Sequence, residues 1–125
     1  MSKEFVFIFM IFCHIIDDFV LQAPCLCNLK QRSWWEKNTQ NDQYKNDYIM
    51  ALCIHGFSWS FMVMLPIALF YRLNIPIEFI GIMIVNAAAH AYVDHSKANI
   101  GSINLIQDQL IHLFQIFTVY MCFTY

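Results

Sequence analysis

The stretch YIMALCIHGFSWSFMVMLPIALFYRL, residues 48–73, contains one histidine, His55, and no acidic residue, and its single fixed charge, Arg72, stands next to its end. A run this long and apolar predicts a membrane-crossing helix, because about 20 apolar residues cover the hydrocarbon core and a helix satisfies its own backbone groups there. Working outward, comparable runs lie at about 5–21, 77–94 and 103–123. Asn74 and Pro76 punctuate a tight turn between the second and third, and Ser96 to Ser102, with Gly101, links the third and fourth. The remaining connection, residues 22–47, is the only polar stretch. The pattern predicts an all-α protein: a single membrane domain over residues 1–125, an integral four-helix bundle with a polar loop at 22–47.

Composition agrees with that class. Of 125 residues, 59% are hydrophobic and only 13% charged, with a mean hydropathy of +0.49, too apolar for an ordinary soluble domain. A formal net charge of -2 argues against nucleic acid as a partner, since phosphate backbones need clustered cations. Five cysteines, Cys13, Cys25, Cys27, Cys53 and Cys122, follow neither a zinc-knuckle nor a disulfide spacing and read as free thiols. The first run reads as retained rather than cleaved, because Asp17 and Asp18 end it and Pro24 stands where a small residue would precede a cleavage site.

Cations set the expected orientation. Lys30, Arg32, Lys37 and Lys45 in the first loop and Lys97 in the third oppose only Lys3 and Arg72. The positive-inside rule then places loops 22–47 and 95–102 in the cytoplasm and both termini outside, in a multi-pass inner-membrane protein. Trp34 and Trp35, with Tyr44 and Tyr48, suit either a segment at headgroup level or simple packing of the loop.

Inside these apolar runs lie four histidines and, besides Asp17, three aspartates, six of these seven paired four residues apart: His14 with Asp18, His90 with Asp94, and Asp108 with His112, joined by His55. Ionisable groups in hydrocarbon cost about 2.5–3.5 kcal/mol each on insertion scales and are kept for a task or a partner. The i,i+4 spacing puts each pair on one helix face. In the topology above, all seven fall in the membrane half nearest the basic loops. A lone pair of this kind is a hydrogen-bonded contact between helices. Three pairs and a fourth histidine at one depth read instead as ligands for one or two divalent ions, zinc before manganese or iron, given imidazole and carboxylate donors. Asp17 can act as a base, a bridging ligand or an interfacial carboxylate. Gln22 and Gln109 adjoin ligand motifs and can orient them. Lys30 and Lys97 at the mouth can hold an anion, or serve only as cytoplasmic anchors. His95 points off the His90/Asp94 face and is read as outside the site.

Four ordered motifs carry a family resemblance: His14-Ile-Ile-Asp17-Asp18-Phe19-Val-Leu-Gln22 followed by Lys30; His55-Gly56; His90-Ala-Tyr-Val-Asp94-His-Ser-Lys97; and Asp108-Gln109-Leu-Ile-His112. Across almost its whole length the chain resembles domain-of-unknown-function family 3307, small multi-span membrane proteins of bacteria and their phages. Ala23 departs from the threonine frequent after the glutamine in that family. The His-x3-Asp spacing is also similar to that of zinc-dependent phospholipases C, P1-type nucleases and inner-membrane metal-dependent hydrolases. That looser likeness implies a metal-dependent hydrolase, a phosphoesterase on lipid or lipid-linked substrates. Two alternatives stand beside it: a non-enzymatic membrane interaction protein of phage type, with a structural metal and a host membrane protein as partner, and a metal or proton conductor.

Overall fold

A computed structural model describes residues 1–22 and 24–125; Ala23 lies outside the described residues. Among these the protein is all-helical, with six α-helices and no strand. The four apolar runs form the long elements. Helix α1, Lys3–Ile15, starts on Ser2, whose hydroxyl accepts from the Phe5 amide, and continues as a π-helix over Ile16–Leu21. Helix α4 is Asp47–Phe70. Helix α5, Glu78–His95, likewise continues as a π-helix, Ser96–Ile100, and ends on Gly101 at φ 70°. Helix α6, Leu105–Thr124, is closed at its start by a capping box in which Asn104 and Gln107 exchange side-chain and backbone hydrogen bonds.

The polar connection is not a simple loop. It folds into two short helices, α2 at Pro24–Leu29 and α3 at Arg32–Asn38, and a 3₁₀ turn at Asp42–Tyr44. Trp35 fixes it locally: its indole N–H donates to the Leu29 carbonyl, and its ring meets Trp34 edge-on and Tyr44 face-on. Asn99, after α5, ties the segment to the long helices by accepting from the Arg32 amide and donating to the Lys30 carbonyl. Lys30 is thereby carried inward and buried.

The long helices divide their shared interior in two. One half is apolar, filled by Val6 and Met10 of α1, Val63 and Ile67 of α4, Phe79 and Met83 of α5, and Ile116 and Phe123 of α6. The other holds the ionisable residues. Gly56 sets the α4–α5 approach, since a Cβ there would stand 2.6 Å from the Ala87 carbonyl oxygen. Bulk at that position would separate the helices that carry His55 and His90.

Among the described residues a single helical stretch, Asp42–Phe70, is long and apolar enough to cross a bilayer, where four were expected. The others are shortened by their π-helical ends or carry the ionisable pairs, which lower their hydropathy. Their outward faces are nonetheless apolar: Phe5, Ile8 and Phe12 on α1, Met50, Ile54 and Phe57 on α4, Ile80 and Ile84 on α5, and Ile106, Leu110 and Phe114 on α6 are all exposed.

Candidate metal centre

The two π-helical segments place much of the site. Widening the turn at Ile16–Leu21 lets the consecutive residues Asp17 and Asp18 both face inward, beside His14 from the preceding turn. The second widening follows His90 and Asp94 and carries Lys97. Helix α4 contributes His55 and α6 contributes Asp108 and His112, so the four long helices converge on one buried cluster.

Asp18 lies at its centre. Its Oδ1 is 3.2 Å from His55 Nε2 and 3.9 Å from His90 Nε2, and its Oδ2 is 3.5 Å from both His14 Nδ1 and His112 Nδ1. Asp94 closes the other side, with Oδ2 3.5 Å from His55 Nε2, and Oδ1 3.8 Å from His90 Nε2 and 3.9 Å from His112 Nε2. Donor atoms of His14, Asp18 and His112, of Asp18, His55 and His90, and of His90, Asp94 and His112 each lie within 4.8 Å of one another.

The histidines are not equivalent. His14 has both nitrogens engaged: Nδ1 accepts the Trp59 indole N–H at 2.8 Å, which leaves Nε2 to donate to Gln109 Oε1 at 3.1 Å. By contrast, His55 Nε2 and both nitrogens of His90 and of His112 are buried without a hydrogen-bond partner among the described residues. Leaving that many buried polar atoms unsatisfied costs about 1–3 kcal/mol apiece. All of these but His90 Nδ1 face the carboxylates of Asp18 or Asp94 across short gaps.

Other predicted site residues surround this ring. Asp17 stands behind His55, with Oδ2 3.7 Å from its Nδ1 and Oδ1 accepting from the Ser58 hydroxyl at 2.8 Å; it is buried, not interfacial. Asp108 stands behind His112, with Oδ1 3.9 Å from its Nε2, while its Oδ2 accepts from Lys97 at 2.6 Å and Gln109 at 3.0 Å. Lys30 donates to Asp94 Oδ2 at 2.5 Å, and with its amide oriented to suit its neighbours Gln22 accepts from Lys30 and donates to the Asp18 carbonyl. His95 stacks on Tyr48, away from the cluster. A pocket of about 240 Å³ opens onto the ring between Asp18, Gln22, Lys30, Asp94, Lys97 and Gln109, with Phe19 and Leu105 as its apolar wall. Asp17 and Asp108 do not line it.

Sequence reasoning missed Trp59 and Ser58. Trp59 is fully buried, hydrogen-bonded to His14 and stacked on His90 with centroids 4.1 Å apart; its one signal was its place four residues after His55. Ser58, from α4, is a partner of Asp17. Ser60 and Asn86 are linked: Asn86 donates to Ser60 and accepts from Gln115, one turn below His90 and His112. Beyond them the described interior is an apolar cluster, with Thr124 donating to the Tyr120 carbonyl at its far end.

The chain belongs to the family described as protein of unknown function DUF3307, which matches it over residues 6–125. No curated protein and no solved structure matches it.

Proposed function

We propose that this protein is a membrane-embedded, metal-dependent hydrolase of phosphate esters, with one divalent ion, zinc first by donor type, held by Asp18, His55, His90, Asp94 and His112. The observation that carries the proposal is the spacing of these donors. Ligands about 2.1 Å from a zinc ion at tetrahedral angles stand about 3.4 Å apart, and five histidine–aspartate pairs within this set place their facing atoms 3.2–3.9 Å apart, in two triads, Asp18 with His55 and His90 and Asp94 with His90 and His112. Charge supports the same reading. Of four buried or nearly buried carboxylates, Asp94 and Asp108 pair with the ammoniums of Lys30 and Lys97, and the two further negative charges of Asp17 and Asp18 match one divalent cation.

In this reading His14, hydrogen-bonded at both nitrogens, positions Trp59 and Gln109 and is not a ligand. Asp17 orients His55 from its Nδ1 side, the carboxylate–histidine arrangement that aims a ligand nitrogen, and Asp108 holds Lys97 and Gln109 in place. An ion so held supplies Lewis acidity toward a phosphoryl oxygen and makes water a nucleophile at neutral pH. Lys30 and Lys97 each have N–H donors beyond those given to carboxylates, and these hold the phosphate in the pocket. Hydrolysis replaces the phosphorus–oxygen bond to the substrate's alcohol with one to the water oxygen, the water's proton ending on the released alkoxide. The apolar outer faces of all four long helices support a multi-pass bundle in the inner membrane, with the site near the cytoplasmic face.

Assay of metal-loaded protein against phosphate esters tests the proposal. Asp94→Asn is expected to lower metal content and abolish turnover; Lys97→Ala is expected to raise KM with metal content intact. Absence of turnover by fully metal-loaded wild-type protein across lipid and soluble phosphate esters contradicts it.

A further inference from the structure

Resting on the reading of this pocket as a phosphate site, we infer that its substrate is a phosphate ester carried on a hydrocarbon tail, which reaches the site sideways from the bilayer between Phe19 and Leu105. The pocket is two-sided. Its inner wall is ionic: Asp18 and Asp94 with Lys30 and Lys97. Its other wall is Phe19, on the π-helical end of α1, and Leu105, at the first residue of α6. These two side chains are 59% and 56% exposed, and their neighbours Val20 and Ile106 are more exposed still.

A pocket built only for a water-soluble anion gains nothing from two large apolar side chains at its edge, because they bring no donor to the phosphate and are themselves left in water. In a bilayer the same edge is continuous with the lipid-facing surface. An amphipathic substrate satisfies both walls at once: the phosphate meets the ammoniums, and the first methylenes of its tail cover Phe19 and Leu105 without leaving hydrocarbon. The substrate need not be extracted from the membrane, which removes the cost of exposing its tail to water. At about 240 Å³ the cavity takes a headgroup and not a tail, so the tail must remain outside, against that edge.

The test uses the full chain, metal-loaded, in neutral detergent micelles, with three probes: dioleoyl phosphatidic acid, glycerol 3-phosphate and inorganic phosphate. Binding is read by equilibrium titration and turnover by phosphate release. Phosphatidic acid should bind at least about tenfold more tightly than glycerol 3-phosphate, the worth of roughly two buried methylenes. The double variant Phe19→Ser, Leu105→Ser should lose that advantage while keeping its metal and its affinity for inorganic phosphate. Equal affinity for the lipid and glycerol 3-phosphate, an undiminished advantage in a folded, metal-loaded double variant, or no binding of any probe overturns the inference. Preferential lipid binding without phosphate release keeps the sideways route and removes the hydrolase reading instead.

Discussion

Trp59 lies flat against His90, the ring centroids 4.1 Å apart and the planes 15° from parallel. The same indole donates its N–H to His14 at 2.8 Å. One fully buried side chain of α4 therefore fixes the plane of a proposed ligand on α5 and the protonation pattern of a histidine on α1.

Trp59→Phe keeps an aromatic face for His90 but removes the N–H that occupies His14. The His14 ring is then free to turn and to pull Gln109 from Asp18 and Asp108. Loss of such an outer partner is expected to weaken ion affinity by about 10–100-fold. Competition with a chelator measures it; affinity equal to wild type would show that Trp59 is only packing.

Asp17→Asn keeps the size of a side chain buried behind His55 and removes its charge. The expected result is again about a 10–100-fold loss of affinity, with full occupancy restored at high metal concentration because the ligands themselves remain. Failure to bind at any metal concentration, in folded protein, would make Asp17 a ligand.

Two glycines separate close helix packing from helix propensity. Gly56→Ala places a methyl 2.6 Å from the Ala87 carbonyl oxygen and should destabilise the protein by about 1–3 kcal/mol as the helices are forced apart. Gly81→Ala in α5 meets nothing within 4 Å and should stabilise it by roughly 0.5–1 kcal/mol. Thermal unfolding in detergent distinguishes them; equal shifts would show that Gly56 does not set the α4–α5 distance.

The long helices were legible because their apolar runs are bounded by Asn74, Pro76 and Gly101, residues with strong local preferences. The His/Asp pairs were legible because an i,i+4 spacing survives in any helix. What could not be read depends on contacts distant in sequence. The π-helical turn that brings both Asp17 and Asp18 inward is settled by what they meet, His55 and His112 on other helices. Lys30 finds Asp94 64 residues away, and the short helices that deliver it carry too few apolar residues to announce themselves. Trp59 has the appearance of an ordinary core residue in an apolar run, and its indole N–H shows no purpose until His14 is opposite. That His14 is engaged while His55, His90 and His112 are open is likewise invisible in the spacing, which treats all four alike.

In the proposed multi-pass bundle, orientation follows from five cations against two. A cysteine introduced beside Lys37, in a background lacking the native thiols, should be shielded from a membrane-impermeant reagent applied from the periplasm, and one at Tyr125 should react. The opposite pattern would place the basic loops outside.

The central claim is that the buried histidines and aspartates hold an ion, and metal content of the detergent-purified protein tests it most directly. Wild-type protein should carry about one divalent transition-metal ion per chain, the number that balances the buried carboxylates. His90→Ala and His112→Ala should lose it, and His95→Ala, whose ring stacks on Tyr48 outside the cluster, should keep it. Equal metal content in the three variants at equal folding, or a wild-type protein that takes up no metal, would contradict the account.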